Sequence, residues 1–403
     1  MEQVLIVNLL LVGTVIVLSI GMRYGAEQVR VSPIVGYLVL GIGLRAVSSL
    51  GGIPLLTEQQ VFPFLADLGV IVLLFRVGLE SDLSRLLAQL PDALWVSAGD
   101  VLVSGSLAFG AAYGLLGWGL VPSLFVGAAF SATSVGVTVA VWEEADRLDT
   151  REGSILVDVA EIDDLTGILF MALLFSVVPL LQGADGAVLS VLGTTLVWTL
   201  AKFAVFGAGC LLFALYLERP MTALFDRLHA GEGTMLVMLG VGIIVAAAAG
   251  MGGLSTAVGA FFAGLIFHRD PHTTQYMDVF RPLHDLLAPF FFVGIGLHLA
   301  PEALGAVGGG VGVLLLVAVL GKILGASLPA MTVVGSSSAF VLGLSLVPRA
   351  EIALIIVQRG LELGDWAVSP TVFAQVVLVS AATVLLVPLV LRPLLSRTSF
   401  AAS

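Results

Sequence analysis

Two adjacent aspartates, Asp163 and Asp164, lie inside a stretch from Ser154 to Leu181 that is otherwise apolar enough to cross a bilayer. A carboxylate at that depth costs about 2.5–3.5 kcal/mol on insertion scales, so acids placed there mark an ion path, a proton relay or a paired counter-charge. The surrounding segment, Asp158 to Gly167, reads D-V-A-E-I-D-D-L-T-G. On a helix Asp158 and Glu161, then Glu161 and Asp164, are three apart and share a face, while Asp163 is turned about 100° from Asp164. Four acids therefore cannot all point at one site. Asp163 and Asp164 read as the functional pair, Glu161 as an accessory acid, and Asp158 as a first-turn residue near the start of its helix. Lys322, in V-A-V-L-G-K-I-L-G-A, is too deep to snorkel. It needs a carboxylate partner or must lose its proton, and a lysine–aspartate pair is a natural place to exchange protons for a cation. Arg349 and Glu351 follow Pro348. Arg349 reads as a structural charge satisfied by another helix or by free backbone groups, and Glu351 as a further accessory acid.

The elements that must carry these charges are membrane helices. The chain has 403 residues, 59% of them apolar and 11% charged, with a mean hydropathy of +1.11; a soluble domain carries about 25% charged residues. Polar and Gly/Pro punctuation divides the sequence into about thirteen spans. They lie near residues 4–22, 31–50, 62–80, 91–116, 120–142, 154–181, 187–217, 232–250, 254–268, 280–299, 304–328, 336–363 and 369–395. Loop charges test this division. Arg23, Arg30, Arg85, Arg147, Arg151, Arg219, Arg227, Arg269, Arg281, Arg392 and Arg397 fall on one side, with Arg45 and Arg359 on the other. The positive-inside rule then puts the N-terminus outside and the C-terminus in the cytoplasm. The start Met1-Glu2-Gln3 has no basic region or cleavage site and reads as the beginning of a retained helix. The net charge of −11 is dispersed among short loops and intramembrane acids, and the few basic residues form no stripe for nucleic acid. Cys210, the single cysteine, lies in an apolar run and frames neither a disulfide nor a metal site. His268, His272 and His284 gather around one cytoplasmic loop with spacing unlike a metal site.

An odd count allows two six-helix halves of opposite orientation joined by one helix, a design of secondary transporters. The halves are residues 1–181 and 231–403, and residues 182–230 hold the linker helix and a cytoplasmic loop. They correspond in detail. The fifth span carries F-S-A-T-S-V-G (Phe130 to Gly136), and its counterpart, the twelfth, carries S-L-V-P-R-A-E (Ser345 to Glu351). Small, polar or Pro residues interrupt both near the middle. Unwound backbone there exposes carbonyls and opposed helix dipoles at membrane depth; a small-residue packing face is the alternative for S-A-T-S-V-G.

In order along the chain stand V-S-P-I-V-G-Y-L-V-L-G-I (Val31 to Ile42), L-G-V-I-V-L-L-F-R-V-G-L-E (Leu68 to Glu80), F-S-A-T-S-V-G-V-T (Phe130 to Thr138) and I-D-D-L-T-G. They are followed by G-A-F-F-A-G-L (Gly259 to Leu265), P-F-F-F-V-G-I-G-L (Pro289 to Leu297) and P-R-A-E-I-A-L (Pro348 to Leu354). This ordered set resembles the monovalent cation:proton antiporter family, in the branch of NapA-type sodium/proton antiporters and Kef-type potassium systems. The resemblance implies a prokaryotic inner-membrane protein that exchanges Na⁺, or Li⁺ or K⁺, for H⁺ with no cofactor. It makes Asp164 the main cation and proton carboxylate, so that Asp164 and Asp163 bind the transported Na⁺. Lys322 becomes the counter-charge, and Thr133 and Ser134 belong to the crossing region. Two acids and a lysine imply two protons per cation, hence electrogenic exchange. A homodimer in membrane lipid is implied too, with a core of the fourth to sixth and eleventh to thirteenth spans moving against a dimerisation domain. The chain departs from the pattern at Ala350, where Gly is frequent, at Glu161, where an apolar residue is common, and at Arg76, which interrupts an apolar run. After the last span no room is left for the nucleotide-binding regulatory domain of Kef-type systems.

Three rivals share the same raw features. A cation-coupled organic-anion symporter could use the same inverted scaffold, but the two acids and lysine argue against it. A channel lacks anything like a carbonyl selectivity filter. An intramembrane aspartyl protease needs acids on separate helices and a G-x-G-D motif, to which S-A-G-D (Ser97 to Asp100) is the nearest approach.

Overall fold

The computed structural model describes residues 2–29, 31–51, 61–81, 90–134, 136–181, 188–218, 220–222, 232–268, 273–299 and 308–397, and every regular element among them is a helix. The first ten are α1 (Glu2–Gln28), α2 (Pro33–Gly51), α3 (Val61–Glu80), α4 (Leu90–Gly110), α5 (Leu120–Ser131), α6 (Gly136–Glu144), α7 (Arg151–Leu181), α8 (Val188–Tyr216), α9 (Glu232–Met251) and α10 (Thr256–His268). Then come α11 (Thr273–His298), α12 (Gly310–Val334), α13 (Ser336–Ser345), α14 (Glu351–Leu363) and α15 (Pro370–Arg397). Among the described residues, eight helical stretches are long and apolar enough, by length and composition, to cross a bilayer. The helices fall on the expected spans, and the two interrupted spans are each broken in two. Ala132 is already extended, at φ −69 and ψ 151, and ends α5. Residues Leu346–Ala350 separate α13 from α14.

Two of the larger differences from the expected boundaries involve helices that contain proline. The sequence ends the eleventh span before Pro329, yet α12 runs on to Val334 and stops at Gly335, whose φ of +81 suits glycine. The tenth begins earlier than expected, with Pro282 and Pro289 inside α11. Proline ends helices in water, but in a membrane neighbouring helices can satisfy the carbonyls it frees. The first helix also continues past its expected end, where Arg23 pairs with Glu27 at 3.0 Å one turn on.

The chain forms two compact units. One comprises Met1–Ile20, Ser48–Asp82 and Ala172–Gly294. Its helices α3 and α10 are packed backbone to backbone: a Cβ on Gly264 would meet the Leu79 nitrogen at 2.7 Å, and one on Gly78 the Phe261 carbonyl carbon at 3.0 Å. Small residues allow such approach, and dispersion between close backbones holds membrane helices together. Phe75 fills the adjoining space against Phe267 and Phe280, with ring centroids 5.9 and 4.9 Å away. Arg76 pairs with Glu80 at 2.7 Å and reaches His284 Nδ1 at 3.4 Å, while His268 Nδ1 lies 3.0 Å from the Leu79 carbonyl. His272 lies outside the described residues.

The other unit comprises Gly21–Val47, Leu83–Met171 and Ile295–Ser403. It holds Asp158, Glu161, Asp163, Asp164, Lys322, Arg349 and Glu351. Its helices α4 and α12 pack extensively, again through glycine: a Cβ on Gly325 would meet the Gly99 carbonyl at 2.9 Å and Asp100 Cα at 3.0 Å, and one on Gly321 would meet Ser104 Cα at 2.9 Å. The buried Trp142 of α6 donates its indole N–H to Ser345 Oγ at 2.9 Å, tying α6 to the end of α13.

Candidate functional site

The two broken helices meet at their breaks. The Ser134 backbone N–H donates to the Pro348 carbonyl at 2.8 Å, so the extended residues of one break hydrogen-bond those of the other. Each break frees the last carbonyls of the helix before it, and a helix C-terminus carries partial negative charge. Two buried cations answer that charge. Lys322 Nζ donates to the Ser131 carbonyl at the end of α5 at 2.7 Å. Arg349 donates to the carbonyls of Val347 at 2.7 Å, Phe130 at 2.9 Å and Ala318 at 3.3 Å, with its guanidinium carbon 4.7 Å from the Phe130 ring centroid. The start of α14 has the opposite polarity, and the acid there is Glu351, in its first turn.

Behind the crossing lies a cluster shut off from the protein surface. Asp163 is fully buried, and both its oxygens are occupied: Oδ1 accepts from Ser97 Oγ at 2.7 Å, and Oδ2 from Thr133 Oγ1 at 2.7 Å and Lys322 Nζ at 3.1 Å. Lys322, also fully buried, donates to Thr133 Oγ1 at 2.7 Å and to Asp100 Oδ2 at 2.5 Å. Its ammonium thus faces four oxygens with three N–H groups, so one bond is shared.

Asp164 stands in a different environment. It is half-buried and has no hydrogen-bond or ion-pair partner among the described residues. The field on it comes from Glu351, Asp163 and Glu161, with Lys322 opposing. Glu351, also half-buried, accepts from Ser134 Oγ at 2.8 Å. Chemically the arrangement offers one saturated carboxylate held by a lysine and one open carboxylate among other acids, which calls for a positive guest. Oxygen donors of this kind suit hard cations.

Of the sequence-derived residues, the structure gathers Asp163, Lys322 and Thr133 in the buried cluster, and Asp164, Ser134 and Glu351 on the open side. Glu161 lies near Asp164, and Arg349 braces the breaks. Sequence reasoning missed Ser97 and Asp100, which entered it only as the ends of S-A-G-D in the protease comparison. Asp100 is fully buried about halfway along α4. The available signal was its depth, together with the G-K-I-L-G spacing around Lys322 that brings α12 close to α4.

The family model described as "Sodium/hydrogen exchanger, transmembrane" matches residues 14–397. Over 344 residues the chain is 28% identical to the high-affinity Na⁺/H⁺ antiporter NhaS3 of Synechocystis sp., a match covering 83% of this chain and 72% of that protein. It is 27% identical over 396 residues to the Na⁺/H⁺ antiporter of Enterococcus hirae, covering 97% and 98% of the two. The solved sodium proton antiporter MjNhaP1 of Methanocaldococcus jannaschii shares the fold, with a TM-score of 0.73 at 17% identity over 98% of this chain and 99% of that one.

Proposed function

The protein belongs to the transmembrane sodium/hydrogen exchanger family, and from that premise we propose that it is a secondary active antiporter exchanging Na⁺, or Li⁺ or K⁺, for H⁺ by alternating access. The observation that carries the site assignment is the contrast between two neighbouring acids: Asp163 locked by Ser97, Thr133 and Lys322, and Asp164 half-buried in the field of Glu351 with no side-chain partner among the described residues. Asp164 is the carboxylate for which proton and cation compete. When protonated it adds no charge to a site already rich in acids. When it gives up the proton, a cation replaces it, held by Asp164 with Asp163, and loading one guest releases the other. Lys322 is the counter-charge that keeps Asp163 compensated while no cation is present. From the family resemblance we carry over two protons per cation, which the response of exchange to membrane potential measures. The residues at the crossing, Thr133 and Ser134, hold the two breaks in register. Glu161 and Glu351 extend the negative field around Asp164, and Arg349 has a structural role.

On this reading residues 1–181 and 231–403 are inverted repeats joined by the segment 182–230. Paired interruptions at α5–α6 and α13–α14 support it. The fourth to sixth and eleventh to thirteenth spans, which carry Asp163, Asp164 and Lys322, are the moving core. The chain sits in a prokaryotic inner membrane as a homodimer, N-terminus outside and C-terminus in the cytoplasm, and the cycle uses no cofactor. The organic-anion and protease readings gain nothing from the relatives, which are named as cation/proton antiporters. The test is proton movement in proteoliposomes under an imposed pH gradient, with Na⁺, Li⁺ or K⁺ added in turn. Wild-type protein is expected to dissipate the gradient on cation addition, and Asp164→Asn to abolish this. Normal exchange in Asp164→Asn would sink the assignment.

A further inference from the structure

We propose that Asp100 is a positioning residue for the exchange: it gives Lys322 a second carboxylate anchor, on a different helix from Asp163, and thereby sets how readily a cation can take Asp163 from the lysine. The inference rests on the reading of Asp163 and Asp164 as the exchange site. Three observations carry it. Asp100 Oδ2 is the shortest contact of the Lys322 ammonium, at 2.5 Å against 3.1 Å for Asp163 Oδ2. Both Asp100 and Lys322 are fully buried, so neither charge is exposed to bulk solvent. The remaining oxygen, Asp100 Oδ1, is buried with no hydrogen-bond partner among the described residues, and Lys322 is the cation in direct contact with that carboxylate.

The backbone is built for this contact. Gly99 and Gly325 meet where α4 and α12 pack, and Gly321 lies against Ser104, so Lys322 emerges from the tightest part of the interface directly at Asp100. Asp163, by contrast, reaches the lysine from α7, with Ser97 and Thr133 already donating to it. A lysine with one carboxylate partner must be left uncompensated when a cation claims that partner, and a buried uncompensated charge is strongly unfavourable. A lysine with two keeps the nearer one. Asp100 therefore lowers the opposition to cation loading without touching the cation.

The experiment is the cation dependence of exchange in proteoliposomes for wild type, Asp100→Asn, Asp100→Glu, Lys322→Gln, the double variant Asp100→Asn/Lys322→Gln, and Asp164→Asn, each corrected for folded protein. In Asp100→Asn the lysine has only Asp163 and clings to it. The KM for Na⁺ is expected to rise about tenfold, the ratio for one charge-assisted hydrogen bond, while the rate at saturating Na⁺ changes far less. Asp100→Glu, which keeps the charge, should recover much of the affinity. A rate loss in Asp100→Asn with KM unmoved would mean a merely structural residue and overturn the proposal. Should Asp100→Asn alone fail to fold, the double variant decides, because removing both charges leaves neither stranded. Its KM should equal that of Lys322→Gln, and a further rise would overturn the proposal. Asp164→Asn separates the two levels: if it still exchanges, the site reading falls, and if it is inactive while Asp100→Asn keeps the wild-type KM, only the role of Asp100 falls.

Discussion

Thr133 makes two bonds with one hydroxyl, donating to Asp163 Oδ2 and accepting from Lys322, both at 2.7 Å. Thr133→Val nearly keeps the shape but leaves both buried partners short, at a cost of about 1–3 kcal/mol. Unfolding of the purified protein in detergent should show that loss, and Thr133→Ser should restore most of it; an unchanged midpoint in Thr133→Val would mean the hydroxyl is not part of the cluster. At this scale the sequence disclosed the charges whose placement is costly. Asp163, Asp164 and Lys322 stood out because nothing apolar explains a charge in the middle of a span. The division of labour between the two aspartates was not legible, since it depends on which face of α7 meets Ser97 and Thr133. Asp100 was passed over for the same reason. Its partner lies 222 residues along the chain, and no local pattern in S-A-G-D announces an ammonium.

The elements translate that chemistry into helix geometry. Both breaks were legible from short runs of small, polar and Pro residues in otherwise apolar spans, and both are real. Helix extents at proline were not: Pro329 reads as a stop in water, yet α12 continues through it. The α4–α12 contact matters most among the packed pairs, because it fixes where Lys322 stands. Gly325→Ala places a methyl group 2.9 Å from the Gly99 carbonyl and 3.0 Å from Asp100 Cα, backbone atoms that cannot rotate away. The helices must separate, at a cost of about 1–3 kcal/mol. The expected result is a lowered melting temperature together with a raised KM for Na⁺. Wild-type stability in Gly325→Ala would show that the interface has slack.

Across the whole molecule, family membership and all-helical architecture were legible because the sequence motifs occur in order along the full length, and the family model spans residues 14–397. How the chain divides in space was not. Each compact unit draws on both halves of the sequence, and the unit carrying the site joins Leu83–Met171 to Ile295–Ser403 across more than a hundred intervening residues. The central claim also belongs to this scale, since exchange is a property of the complete cycle: proton and cation compete for Asp164. The most direct measurement is the initial rate of Na⁺-driven proton movement in proteoliposomes as a function of Na⁺ concentration at several pH values. Competition predicts that the apparent KM for Na⁺ rises as pH falls, approaching about tenfold per pH unit for each proton displaced where the site is mostly protonated, with the maximal rate recovered at saturating Na⁺. A maximal rate that falls with pH while KM stays constant would contradict it.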